Sequence, residues 1–495
     1  MKHILTTMVA AMTIVSCANN SGTNPFLTEW DTPYGIPPFE QIGIDDYMPA
    51  INAGIEQQNA AIATITSNAE EPTFDNTIAP LELSSGILDK VSGVLYNISE
   101  TDRTDELDSI VELAIPVMTE HSDNISFNQA LFQRIAKLYE GDQSSLTREQ
   151  QMVLKKYYEQ FQRSGSGLPQ DKQDQLRKIN TEMASKQQKI GNNILAESNA
   201  FKAKFGISVS EFPNAMTSTE DRNKRKEMYT MYTMRGHNGN ENDNRQLILD
   251  VVRLRIEKAK ILGYKNPAQY YLEDKMAHDP ETVDAFLGGI MKSAVKRAKE
   301  EVRDMQQLMD KEIAEGKLPA GSRIEPWDWW YYAEKVRKQQ FDLDESQVKP
   351  YFKLENVVKG VFLAANKLYG INMEELKDVP AYNTDVVTTY KVTDADGSLL
   401  AIFTTDYLPR SSKRGGAWMN NVREQYVDAK GQMVRPIIVN VANLEEYLTI
   451  DEVQTVFHEF GHALHGILSQ CNYRSVSGTS VSRDFVEMFS QINEN

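Results

Sequence analysis

Cysteine is nearly absent from this sequence: Cys17 and Cys471 are the only two among 495 residues. So few cysteines exclude a framework of several disulfide bonds and a zinc finger built on cysteine ligands. The 18 Phe, 21 Tyr and 5 Trp can instead anchor a substantial core, which argues against intrinsic disorder. At roughly 150 residues per domain, the length allows two or three domains or one large helical body.

The sequence also lacks an excess of positive charge, since 53 Lys and Arg face 70 Asp and Glu and the formal net charge is −17. A protein that binds nucleic acid needs a basic surface to offset repulsion from the phosphate backbone. We therefore expect no nucleic acid among its partners.

An uncharged, mostly apolar stretch, residues 4–15, follows the basic start of the chain. It is too short to span a bilayer as a helix and matches the hydrophobic region of a signal peptide. Residues 14–17 resemble a bacterial lipobox, in which Cys17 becomes lipidated. We expect residues 1–17 to be a lipoprotein-type signal peptide and residues 18–24 a tether. The alternative is an ordinary signal peptide in which Cys17 is incidental.

Either alternative places the mature protein outside the cytoplasm. A lipidated Cys17 would make it a periplasm-facing, membrane-anchored lipoprotein of a bacterium. Its membrane contact would then be the N-terminal lipid anchor alone.

Long helices dominate the middle of the chain. Thr147 and Gln150 form a capping-box pair that predicts a helix ending near Arg163. Further predicted helices cover residues 170–199, 243–261 and 281–315.

A single region has the pattern of a β-sheet. Residues 386–393 and 399–405 are rich in β-branched side chains, and Asp396-Gly397 between them predicts a hairpin turn. Residues 434–441 form another predicted strand. Pro436 indicates that this strand lies at an edge of the sheet or begins near the proline.

Three of the seven histidines fall within eight consecutive residues, where His458, Glu459 and His462 form an H-E-x-x-H motif. Thr449 and Glu452 form a capping-box pair, so a helix is predicted to begin just before the motif. On that helix both motif histidines lie on one face and the apolar residues on the other. Two imidazoles four residues apart suit the near-tetrahedral coordination of zinc, and Glu459 lies beside the open position of the ion.

A catalytic zinc site needs a third protein ligand. The metzincin pattern would place a histidine at position 468, which is Leu468 here, so that pattern fails. Asp484 and Glu487 offer carboxylates on a second predicted helix, and their spacing does not choose between them. His465 lies roughly 10.5 Å along the helix from His458, too far to share one ion easily. We interpret His465 as a packed histidine or one that supports a ligand.

Several segments together resemble the thimet oligopeptidase family of metallopeptidases. Residues 455–465 resemble its zinc-site helix, and residues 477–479 and 483–487 resemble the segment that carries its third ligand. Further segments resemble the family at 410–418, and its bacterial peptidyl-dipeptidase branch, the dipeptidyl carboxypeptidases, at 24–26, 37–40 and 72–77. The resemblance spans residues 24–495.

The resemblance implies a mainly α, neurolysin-like helical ellipsoid, with a deep channel between two halves and a small β-sheet next to the zinc-site helix. We expect an N-terminal helical region at residues 25–220 and a metallopeptidase catalytic region at residues 221–495. The family continues past the position of Asn495 with a Tyr and a His that stabilise the oxyanion. We therefore expect the fold to be incomplete at its C-terminus.

The resemblance also implies one zinc ion bound by His458, His462 and Glu487. Glu459 would then be the general base that activates a zinc-bound water. His465 and Asp484 are candidates for contacts that support the ligands.

The expected activity is hydrolysis of short peptides by a monomer, with dipeptides released from free C-termini. One alternative is an endo-acting oligopeptidase of the same family. Another is a lipoprotein that binds zinc or peptide without turnover, which the short chain would favour if its end at Asn495 is natural.

Overall fold

A computed structural model describes residues 23–341 and 345–495 of the chain. The predicted signal peptide, Cys17 and most of the predicted tether lie outside these residues. Within the two described ranges, no helix has both the length and the apolarity that a membrane span requires. The described chain is mainly helical and contains a small five-stranded mixed sheet, which confirms the predicted fold class.

Helices form most of the chain before the sheet, and two more follow it. In chain order they are α1 (Ile44–Ser67), α2 (Ala79–Glu82), α3 (Gly86–Thr101), α4 (Asp105–Ser126), α5 (Gln129–Glu140), α6 (Arg148–Ser164), α7 (Gln170–Phe205), α8 (Phe212–Ser218), α9 (Arg222–Thr233), α10 (Arg245–Ile261), α11 (Pro267–Leu272), α12 (Pro280–Ala314), α13 (Trp329–Phe341), α14 (Glu345–Val348), α15 (Leu354–Tyr369), α16 (Ile450–Ile467) and α17 (Glu487–Glu494).

The four helices predicted in the middle of the chain are confirmed, with one difference in length. The backbone N–H of Gln150 donates to Thr147 Oγ1 over 3.2 Å at the start of α6, as the capping-box pattern predicts. α10 and α12 also lie where the periodicity places them. α7 runs past its predicted end at residue 199, because Gly206, with a φ of 74°, provides the left-handed cap that ends it.

The strands are β1 (Asn372–Leu376), β2 (Val387–Thr393), β3 (Leu399–Asp406), β4 (Trp418–Arg423), β5 (Tyr426–Val427), β6 (Met433–Val434) and β7 (Ile437–Val441). The main sheet has the order β1-β2-β3-β7-β4, and β5 and β6 pair separately. β3 and β7 run parallel, with Phe403 opposite Ile438, and the other neighbours are antiparallel.

Pro436 suggests either that its strand lies at an edge of the sheet or that the strand begins near the proline. The first prediction is wrong and the second is confirmed. β7 lies between β3 and β4 and begins directly after the proline, so the missing N–H falls outside the ladder. The edges are β1 and β4, which the sequence analysis missed. Both are rich in polar residues and do not alternate regularly between apolar and polar side chains. Their extended conformation therefore depends on pairing with the neighbouring strands.

The sheet is covered on both faces. Phe403 of β3 meets Phe460 of α16 edge to face, with 5.6 Å between ring centroids, in a core that α15 also joins. Ile402 and Val439 point to the opposite face and pack against α1, α3 and α4. Every residue of β7 is buried as a result. The N-terminal helices therefore support, from behind, the platform on which α16 rests.

A buried ion cluster closes the end of β3. Asp406 is fully buried and accepts hydrogen bonds from Arg410 Nη2 over 2.7 Å, Lys413 Nζ over 2.9 Å and the Tyr382 hydroxyl over 2.8 Å. Burial acts to raise the pKa of Asp406, but the two cations outweigh it and hold that pKa below its ordinary value. Arg410 and Lys413 belong to segment 410–418, so two cations of that segment pair with the same buried carboxylate.

We predict that Asp406→Ala lowers the free energy of unfolding by about 3–5 kcal/mol, because it leaves the buried Lys413 without its counter-ion. Urea denaturation followed by circular dichroism measures the change. The control is Glu355→Ala, which removes an exposed ion pair with Lys359 and is expected to leave the midpoint unchanged. Equal midpoints for Asp406→Ala and the unmodified protein would contradict the prediction.

Candidate metal centre

Helix α16 separates an apolar face from a polar one, as the pattern predicts. The Thr449 hydroxyl accepts from the Glu452 N–H over 3.2 Å, and this cap starts the helix at Ile450. The apolar face is buried against the sheet and α15 through Val456, Phe460, Ala463, Leu464 and Ile467. The imidazoles of His458 and His462 project from the other side, with 5.0 Å between ring centroids.

The first residue of α17 completes a group of three possible ligands. Glu487 Oε2 lies 3.2 Å from His458 Nε2 and 3.1 Å from His462 Nε2. Asp484 lies elsewhere, in the turn before α17, where its Oδ2 accepts from the backbone N–H of Ala277 over 3.2 Å. The predicted helix over both carboxylates is wrong in this respect, because only Glu487 is helical. The structure brings Glu487, and not Asp484, to the two histidines.

The three donor atoms suit a zinc ion. They lie within 4.8 Å of one another. A tetrahedral zinc with ligands at about 2 Å places neighbouring donor atoms about 3.3 Å apart, close to the separations from Glu487. Two imidazole nitrogens and one carboxylate oxygen are also a donor set of catalytic zinc sites, in which the fourth position stays open.

Glu459 lies next to this group with a free oxygen. Its side chain is buried, and its Oε2 has no hydrogen-bond partner in the part of the chain that the structure describes. Burial raises the pKa of Glu459 to about 7, with Glu487 adding to the effect and His458 opposing it. A carboxyl group with a pKa near neutrality can both accept and release a proton.

The other groups have ionisation states that suit metal binding. Burial lowers the pKa of His462, which favours the neutral imidazole that a metal requires. Burial acts to raise the pKa of Glu487, but the Ser490 hydroxyl and both imidazoles outweigh it, so this carboxylate stays ionised. A cavity of about 360 Å³ reaches the site, lined by Asp451, Gln454, Thr455, His458, Glu459 and Glu494.

His465 lies outside the group of three. Its ring contacts that of Phe489, with 4.3 Å between centroids, and burial lowers its pKa. Its Nδ1 has no partner among the described residues. These contacts are those of a histidine packed between α16 and α17.

The close approach of α17 to α16 depends on Gly461, inside the H-E-x-x-H motif. A Cβ at this position would lie 2.6 Å from the Cα of Ser490 and 2.7 Å from the carbonyl oxygen of Phe489. Both are backbone atoms of α17, so they cannot turn aside as a flexible side chain would. The glycine therefore sets the distance at which Glu487 is presented to the histidines.

Helices far away in the sequence hold the segment that connects α16 to α17. Glu149 of α6 accepts from the backbone N–H groups of Asn472 and Tyr473, over 2.5 and 3.2 Å. Lys156 of the same helix donates to the carbonyl of Ser480 over 3.1 Å. The N-terminal helices thus help to place Glu487.

Sequence reasoning missed these anchors and one further carboxylate at the site. Glu149 and Lys156 lie on an ordinary charged helix, and nothing in their spacing indicates their distant partners. Glu494 Oε2 lies 2.6 Å from His458 Nδ1. A signal for Glu494 was available, because it follows Glu487 by seven residues and such residues share one face of a helix.

Comparisons with known proteins agree on one family. The sequence profile of Peptidase family M3 matches residues 215–495. The chain is 34% identical to a dipeptidyl carboxypeptidase of Escherichia coli (strain K12), over 95% of the chain and 74% of that protein. It is 33% identical to the dipeptidyl carboxypeptidase of Salmonella typhimurium over the same shares. It is 28% identical to oligopeptidase A of Escherichia coli, over 96% of the chain and 74% of that protein.

We predict that Gly461→Ala lowers the free energy of unfolding by about 1–3 kcal/mol, because the new methyl group forces α17 away from α16. The control is Gly288→Ala in α12, where an added Cβ meets nothing within 4 Å. That change is expected to raise stability by about 0.5–1 kcal/mol, since alanine favours the helix. Urea midpoints that move in the same direction for both variants would contradict the assigned role of Gly461.

Proposed function

The chain belongs to Peptidase family M3, and from this premise we propose that it is a zinc-dependent metallopeptidase that releases dipeptides from the free C-termini of short peptides. One observation carries the zinc assignment: His458 Nε2, His462 Nε2 and Glu487 Oε2 converge at the spacing of ligands around one ion. Release of dipeptides is supported by the two relatives at 34% and 33% identity, which are dipeptidyl carboxypeptidases.

In the proposed mechanism, the residues of the site either bind the metal or transfer protons. A zinc ion, when bound, would polarise the scissile carbonyl and lower the pKa of water. Glu459, which lines the cavity at the site, accepts the proton of the attacking water at its carboxylate and then passes it to the leaving amine. His458, His462 and Glu487 would hold the ion and take no proton in this scheme. Burial raises the pKa of Glu459, which favours uptake of the proton by this carboxylate.

We predict that Glu459→Gln keeps one zinc per chain and lowers kcat by roughly 10²–10⁴-fold, because the amide cannot accept the proton. The measurements are zinc content by elemental analysis and hydrolysis of a short peptide by mass spectrometry. A variant with full zinc content and unchanged kcat would remove Glu459 from the mechanism.

A matched pair of carboxylate variants checks the ligand set in the same assays. Glu487→Ala is expected to lose bound zinc, whereas Asp484→Ala, three residues away in the turn, is expected to retain it. The reverse result would assign the third ligand to Asp484. Retention of zinc by both variants would refute a carboxylate ligand from this segment.

A second candidate is an endo-acting oligopeptidase, which the 28% identity to oligopeptidase A favours. The two activities differ in whether cleavage requires a free C-terminal carboxylate. We predict stepwise loss of dipeptides from a free-acid peptide and little cleavage of its C-terminal amide. Mass spectra of both digests distinguish the candidates, because equal internal cleavage of acid and amide would establish the endo-acting one.

A further inference from the structure

We infer that Glu494 is a positioning residue that fixes the imidazole of His458 for metal binding, an inference that rests on the proposed zinc site. Glu494 Oε2 lies 2.6 Å from His458 Nδ1, while Nε2 of the same ring lies 3.2 Å from Glu487. Two carboxylates of one helix thus contact opposite nitrogens of a single imidazole.

The contact with Glu494 determines the tautomer of His458. A carboxylate can only accept a hydrogen bond, so the contact with Glu494 keeps a proton on Nδ1, and a zinc ion between Nε2 and Glu487 would take the lone pair of Nε2. Hydrogen bonds of this kind orient the ring and raise the basicity of the ligating nitrogen. His462 differs, because its buried Nδ1 has no partner within the described ranges.

The spacing along α17 explains how one helix supplies both contacts. Glu487 and Glu494 are seven residues apart, which is about two helical turns and roughly 10.5 Å. They therefore lie on the same face, toward α16, with the imidazole of His458 between them. Glu494 is not itself a ligand in this arrangement, since the two ring nitrogens point away from each other and the ion binds on the Nε2 side.

We expect Glu494→Ala to retain one zinc per chain but to weaken zinc binding by about 10–100-fold, the usual effect of removing such a contact. Glu494→Gln keeps an acceptor oxygen for Nδ1–H and is expected to lose less affinity. Competition with a chromophoric chelator of known zinc affinity measures each constant without reference to catalysis.

The control variant is Asn493→Ala, in the neighbouring position on α17. Asn493 Nδ2 donates to the carbonyl oxygen of Phe457, so this change removes a hydrogen bond between the same two helices without touching an imidazole. It is expected to lower the melting temperature and to leave zinc affinity within about twofold of the unmodified protein, because ligand geometry sets the affinity.

The outcomes separate the inference from the proposed function. Failure of the unmodified protein to bind zinc would overturn the proposed zinc site itself. Zinc binding by the unmodified protein with equal affinity in Glu494→Ala would overturn the positioning role alone. An equal loss in Asn493→Ala and Glu494→Ala would also overturn it, since helix docking would then explain the effect. Partial rescue by Glu494→Gln would support it.

Discussion

The contact between α16 and α17 is the interaction on which the candidate site depends. Two carboxylates of α17 reach the imidazoles of α16 because Gly461 lets the two backbones approach without an intervening side chain. Any larger residue at this position would meet backbone atoms, which move only with the whole helix. Gly461 has no reactive side chain, but it therefore controls how closely Glu487 approaches His458 and His462.

The position of α16 is in turn set by burial. Its apolar face packs on a sheet whose opposite face is covered by α1, α3 and α4, so residues on both sides of the proposed division at 220/221 contribute to one platform. The division itself remains a prediction. The same N-terminal region holds the segment between α16 and α17 through Glu149 and Lys156. Helix α6, remote in sequence from the histidines, thus holds the segment that leads to Glu487.

Packing also gives Glu459 and Glu487 different proton affinities. Glu459 is buried, and desolvation raises its pKa to about 7. Glu487 is half-exposed and faces two imidazoles, and together with the Ser490 hydroxyl these keep its pKa low. A separation of this kind suits the proposed function, in which Glu459 carries protons and Glu487 stays charged as a ligand.

The residues alone indicated the fold class, the long helices, the central strands and the helix that carries His458, Glu459 and His462. These features follow from local spacing and capping, which a sequence displays directly. Spacing could not choose between Asp484 and Glu487, place β1 and β4, or reveal the anchors on α6. Those depend on which segments meet in space. Which segments meet is set by the close approach of two backbones at Gly461 and by burial against the sheet. Both involve residues that are distant in the sequence, so local patterns do not predict them.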